Sequence, residues 1–140
     1  MGRVLALDVG TRTIGVAVSD PLGITAQGLE TIFRRGGNEY ARLLELLEKY
    51  EVTTVVIGYP RHLDGRPGET ARQAEDVARF LAKRTDVEIV FWDERLTTQE
   101  ALRALREAGA SPARKKERKD VLAAQLLLDS YLRRRKGGTP

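Results

Sequence analysis

Residues 3–19 read Arg3-Val4-Leu5-Ala6-Leu7-Asp8-Val9-Gly10-Thr11-Arg12-Thr13-Ile14-Gly15-Val16-Ala17-Val18-Ser19, two apolar runs on either side of a short glycine-containing turn. Apolar runs of this length, bounded by turn residues, are the pattern of strands buried in a sheet. Asp8 interrupts the pattern where the first run ends. A carboxylate at such a place is costly to bury unless a cation, a proton or several donors compensate it. The stretch therefore predicts two strands, at 3–8 and 13–19, and it marks the first candidate for chemistry.

Outward from this hairpin, the turn signal Asp20-Pro21-Leu22-Gly23 leads into a third strand at 24–32, which predicts an antiparallel meander. Asn38 then offers a cap for a helix whose apolar positions Leu43, Leu44, Leu46 and Leu47 run up to Tyr50. Residues 54–58 read as a short buried strand. A loop rich in Gly and Pro from Tyr59 to Gly68 precedes a helix at 69–84, with Ala71, Ala74, Val77, Ala78 and Leu81 on one side. Residues 87–92 make a fifth strand, and helices at 98–108 and 117–135 complete the pattern. Strands that alternate with helices pair in parallel through right-handed crossovers. The fold class is thus α/β: a mixed five-stranded sheet, three antiparallel strands then parallel ones, flanked by helices. No repeat or linker divides it, so residues 1–136 are expected to form a single domain and 137–140 a flexible tail.

Composition removes several chemistries. The 140 residues contain no cysteine and one histidine, His62, which excludes thiol catalysis and thiolate zinc sites and leaves no basis for a histidine metal cluster or a Ser-His-Asp triad. His62 reads as a surface residue. No apolar stretch approaches the roughly 20 residues of a membrane helix, and no signal peptide is visible, so the expectation is a protein of a reducing cytoplasm without a membrane partner. The net charge of +4 favours a polyanionic partner. Two basic clusters, Arg114-Lys115-Lys116-Glu117-Arg118-Lys119 and Arg133-Arg134-Arg135-Lys136, flank the last long helical pattern; taken alone, such runs also fit a solvated surface.

Two further acidic positions stand where the sheet would bring them beside Asp8. The fifth strand ends in Asp93-Glu94, at the carboxyl edge where open α/β sheets bind ligands; periodicity leaves open which of the two points inward. Thr97 and Glu100, just beyond, have the spacing of a capping box and read as structural. Asp120 lies on the same helix face as Ala123, Ala124, Leu127 and Tyr131, an apolar face with small residues that permit close approach to the sheet. An aspartate in the first turn would also suit the helix dipole, but its core-facing side and the basic cluster before it favour a functional reading. Three converging acids need a divalent cation among them, and hard oxygen ligands select Mg²⁺ or Mn²⁺. Two such ions about 4 Å apart activate water and stabilise the leaving oxygen in phosphodiester hydrolysis. Surrounding Lys and Arg would hold the nucleic-acid backbone.

These residues resemble the YqgF family, also called RuvX. The resemblance rests on residues 6–17 from Ala6-Leu7-Asp8 to Gly15-Val16-Ala17, on Gly58-Tyr59-Pro60 through Asp64-Gly65, on Asp93-Glu94-Arg95-Leu96-Thr97-Thr98, and on Lys119-Asp120 before Ala123-Ala124. It runs from about residue 3 to 133, and the Asp-Glu-Arg-Leu-Thr-Thr hexamer is its most specific part. It implies an RNase H-like fold and a nuclease acting on structured nucleic acid, either pre-16S ribosomal RNA or branched DNA at Holliday junctions. It also implies Asp8, Glu94 (rather than Asp93) and Asp120 as metal ligands and catalytic acids. Arg12, Arg61, Arg95, Lys115, Lys116 and Lys119 are the candidate nucleic-acid contacts, with Arg66 in the loop near the same edge. Where the family often carries a basic residue after Arg12, this chain has Thr13. Processing of the 5′ end of pre-16S rRNA is the favoured reading; junction cleavage would suit a homodimer, and rRNA trimming a monomer.

The sequence admits two rival readings. Asp-x-Gly-Thr followed by a glycine in a second strand also opens actin-like ATP-binding folds, but those need two such domains, and 140 residues supply one. A module that holds structured RNA or DNA without cutting it is the alternative of another class.

Overall fold

The computed structural model describes residues 2–59, 68–93 and 112–137, with the side chains of the last helix from Lys119 to Arg135. β1 (Arg3–Val9), β2 (Thr13–Ser19) and β3 (Ala26–Phe33) form the antiparallel meander. α1 (Asn38–Lys49), β4 (Val52–Tyr59), α2 (Glu69–Arg84), β5 (Glu88–Asp93) and α3 (Pro112–Gly137) follow. The sheet order is β3-β2-β1-β4-β5, with β4 parallel to both β1 and β5. Parallel neighbours require a crossover, which α1 supplies before β4 and α2 before β5. β1 is therefore central, and its apolar run is covered on both faces.

Alternation along the strands sorts the core into two layers. Leu5, Leu7 and Val9 of β1 pack with Val55 and Ile57 of β4 against Leu43 and Leu46 of α1 and Ala74, Val77 and Leu81 of α2. Val4 and Ala6 face the other way, with Ala17 and Val56, against Ala124, Leu127, Leu128 and Leu132 of α3. The apolar face read for 69–84 is the one α2 buries.

Several boundaries differ from the sequence reading, each for a local reason. Ile24 and Thr25 do not open β3, because their amides donate to Asp20 Oδ1 at 2.7 and 2.9 Å and close the turn instead. These bonds, that from Thr25 foremost, hold the Asp20 carboxyl below its ordinary value. Asn38 is the first residue of α1 rather than its cap; the cap position is Gly37, in a left-handed conformation that glycine adopts without strain. α3 begins at Pro112 instead of 117, a proline being acceptable in a first helical turn. It continues through Gly137, where a tail was expected. The expected helix at 98–108 and most of the loop from Tyr59 to Gly68 lie outside the described residues.

Candidate metal and nucleic-acid site

Asp8 follows Val4 and Ala6 in the period-two alternation of β1, so it belongs to the face covered by α3. Its partner across the antiparallel ladder is Gly15. On the other side Leu7 pairs with Ile57, which makes Gly58 the next position opposite Asp8. Glycine on either flank means that neither cross-strand neighbour puts a side chain against the carboxylate.

Gly15 also determines how near α3 comes. A Cβ built on it would stand 2.0 Å from the carbonyl oxygen of Asp120, and one on Gly28 would stand 2.4 Å from Val121 Cγ1. The helix backbone thus rests on the sheet where side chains are missing, over the strand next to Asp8. Asp120 is half-buried there, and its Oδ2 accepts a 2.8 Å hydrogen bond from the Thr13 hydroxyl. Thr13 is itself 93% buried, being 7% exposed. A neutral donor fixes the carboxylate's orientation without cancelling its charge.

The turn that follows Asp8 is anchored from below. The Gly10 amide donates to the Thr13 carbonyl at 2.8 Å, and the Arg34 amide donates to the Arg12 carbonyl at 2.8 Å. The Arg34 guanidinium donates to the Gly10 carbonyl at 2.9 Å, to Glu39 Oε2 at 3.0 Å and to Gln73 Oε1. One buried cation so ties the β1–β2 turn to α1 and α2. Burial acts to raise the Glu39 pKa, but the hydrogen bond and charge of Arg34, with helix-start amides, outweigh it and hold the carboxyl below its ordinary value.

Asp8 and Asp120 are accordingly brought to one face and one end of the sheet. Arg12 is exposed in the β1–β2 turn and Lys119 is exposed beside Asp120. Asp93 pairs with Tyr59, whereas Trp92 pairs with Gly58; Tyr59 packs with the α1/α2 layer and Trp92 with the α3 layer, so Asp93 falls on the face opposite Asp8. Glu94, Arg61, His62, Arg66 and Arg95 lie outside the described residues, as do the side chains of Lys115 and Lys116. Sequence reasoning missed Thr13 and Arg34 as parts of the site. The substitution of a hydroxyl residue for a base after Arg12 was a signal for the first; the second sits in an Arg34-Arg35 pair that charge alone assigns to solvent.

The donor set fits a hard divalent cation: two carboxylates on one face of the sheet, one of them oriented by a hydroxyl. Among the described residues no group of three His, Asp or Glu is close enough to hold a metal unaided. A third acid would have to come from elsewhere in the chain.

A mixed sheet of this order, flanked by helices, has the RNase H-like fold. The fold of Thermus thermophilus RuvC in complex with Holliday junction substrate matches it with a TM-score of 0.65 over 99% of this chain and 98% of that one, at 19% identity. A second Thermus thermophilus RuvC structure gives 0.61 at 17% identity, covering 94% and 95% of the two chains. The RuvX family, described as Holliday junction resolvase, matches residues 2–134, and the chain belongs to that family. It is 46% identical over 134 residues to a protein of Lachnospira eligens, covering 93% of this chain and 96% of the other. It is 48% identical over 135 residues to one of Halalkalibacterium halodurans, covering 94% and 96%. Both relatives are named as candidate pre-16S rRNA nucleases. Family and fold together make the chain a nuclease of the resolvase-like type.

Proposed function

We propose that this nuclease is a metal-dependent endonuclease that processes the 5′ end of pre-16S rRNA, using Asp8, Glu94 and Asp120 as its acidic centre. The observation that carries the reading is the seating of Asp120 over Gly15, the cross-strand partner of Asp8. Glu94 is chosen over Asp93 because the alternation of β5 puts Asp93 on the face away from Asp8. Thr13 orients Asp120; Arg12, Arg61, Arg95, Lys115, Lys116 and Lys119 hold phosphates around the acids. Held by these acids, a divalent ion, Mg²⁺ or Mn²⁺, would supply Lewis-acid polarisation of the scissile phosphate and a water acidified enough to act as nucleophile, in the manner of two-metal phosphodiesterases. No residue of the chain forms a covalent intermediate. The site of action is the cytoplasm, in keeping with a ribosomal RNA precursor as substrate. No described helix is long and apolar enough to cross a membrane. Residues 1–136 serve as one nuclease domain in this reading, and it needs no second copy.

The family description keeps a four-way DNA junction as the second substrate, and that reading would call for a homodimer making paired cuts. The test incubates the protein with labelled pre-16S fragments and four-way junctions, in Mg²⁺, Mn²⁺ or chelator. Metal-dependent cleavage of the RNA, abolished in Asp8→Asn, supports the proposal; preferred cleavage of junctions replaces the substrate. Equal cleavage by wild type and Asp8→Asn removes the acidic centre, and binding without cleavage leaves a holding module.

A further inference from the structure

Phe33 is the last residue of β3, an edge strand of the sheet, and it is 45% exposed. The register fixes the side it takes. Ile14 and Ile32 pair across β2 and β3 and both pack into the α1/α2 layer, so the neighbouring pair, Thr13 and Phe33, belongs to the opposite face. Thr13 is on that face already, bonded to Asp120. The alternation continues past the strand: Arg34 turns to Glu39 and Gln73 on the α1/α2 side, while the exposed Arg35 sets its guanidinium 5.8 Å from the centre of the Phe33 ring. A lone apolar side chain at a surface needs no explanation. This one shares the face of Asp8 and Asp120, two strands out and two residues along from Asp8, which is roughly 12 Å. Exposed cations flank the same end of the sheet: Arg35 against the ring, Arg12 in the turn whose carbonyl accepts from the Arg34 amide, and Lys119 beside Asp120.

We propose that Phe33 is a stacking platform for an unpaired base of the substrate strand, with Arg35 and the neighbouring cations holding the adjoining phosphates. The inference rests on the nuclease reading and narrows its substrate to a strand that is unpaired where it leaves the acidic centre. A base inside a duplex keeps its faces against its neighbours and cannot reach the ring, whereas every unstacked base has a π-face to offer. The platform therefore selects strandedness and not sequence.

The test compares wild type with Phe33→Ala, Phe33→Leu and Phe33→Tyr. The probes are a pre-16S fragment whose 5′ segment is single-stranded, the same fragment with single abasic sugars placed along that segment, and the same fragment with the segment paired to a complementary strand. Binding is read by anisotropy in chelator across a salt series, and cleavage by single turnover in Mg²⁺. On the single-stranded probe Phe33→Ala should bind roughly 5- to 100-fold more weakly, the loss of one base–aromatic stack. Phe33→Leu, which keeps apolar bulk without the π-face, should share the loss, and Phe33→Tyr should recover most of it. One abasic position should cost wild type a similar factor and cost Phe33→Ala nothing further. The log K against log salt slope should match wild type, because no phosphate contact is removed, and the paired probe should not distinguish the proteins. Equal single-strand affinity in wild type and Phe33→Ala, an equal loss on the paired probe, or abasic penalties that persist in Phe33→Ala overturns the inference while leaving the nuclease reading intact. A wild-type dimer that Phe33→Ala dissociates, with RNA affinity unchanged, overturns it in favour of contact between two copies of the chain. Wild type that neither binds nor cuts any of the probes fails the nuclease reading, and the platform falls with it.

Discussion

The hydroxyl of Thr13 donates a 2.8 Å hydrogen bond to Oδ2 of Asp120, linking the first residue of β2 to the helix above it. A hydrogen bond to a charged acceptor contributes about 1.5–3 kcal/mol. Thr13→Val keeps the shape and removes the donor, so Asp120 should lose its fixed orientation. The metal concentration for half-maximal cleavage is expected to rise by roughly 10- to 100-fold, at about 1.4 kcal/mol per factor of ten. Thr13→Ser should restore it. A metal titration of the three proteins decides the point; unchanged half-maximal concentrations in Thr13→Val would show the bond to be incidental.

Gly15→Ala tests the seat of α3. The added methyl would have to displace the Asp120 carbonyl, which is backbone and cannot swing aside. Overpacking of this kind costs about 1–3 kcal/mol, and here it also lifts Asp120 from its place over the sheet. Urea unfolding should show the loss of stability and cleavage should fall with it. Full activity with wild-type stability would mean that the helix approaches less closely than described.

The Arg34–Glu39 pair predicts a defined acid response. The side chains are 10% and 6% exposed, with nitrogen and oxygen 3.0 Å apart. Because the folded Glu39 pKa is depressed, its contribution to stability is present above the unfolded value and is lost as pH falls through the folded one. Stability measured from about pH 6 down to about pH 3 should therefore decline less steeply in Glu39→Gln than in wild type. Arg34→Ala, which strands the carboxylate, should cost roughly 3–5 kcal/mol at neutral pH. Parallel pH profiles for wild type and Glu39→Gln would contradict this account.

Metal should stabilise the folded chain as well as activate it. A ligand at about one hundred times its Kd adds roughly 2.7 kcal/mol by mass action. Thermal unfolding with and without Mg²⁺ or Mn²⁺ is expected to show an upward shift of Tm in wild type, reversed by chelator and absent in Asp120→Asn. An equal shift in both proteins would place the ion elsewhere.

Lys119 and Arg12 are exposed beside the acids. Replacing either by alanine should weaken binding of all substrates alike and flatten the salt dependence by about 0.9 for each phosphate contact removed. Salt titrations of binding in chelator measure it; a slope equal to wild type would turn that side chain away from the substrate.

Much of this was legible in the chain itself. β2 ends where its sequence pattern ends, because the turns on both sides are local, and α2 buries the face its spacing predicts. Asp8 stood out because an acid in an apolar run is unusual in a strand. What the sequence could not display depends on residues far apart: the choice of Thr13 as partner for Asp120, the glycine seat under α3, and the turning of Arg34 inward to the Gly10 carbonyl. The cap of α1 was misread for a related reason. Asn38 has the right chemistry, but the backbone reverses at Gly36 and Gly37, both with positive φ, and enters the helix one residue earlier than a capping asparagine allows.

The bond between Thr13 and Asp120 spans 107 positions of sequence. Translation delivers the Asp8 hairpin early and the helix that carries Asp120 late, so the two carboxylates can share one face of the sheet only once synthesis has passed residue 120.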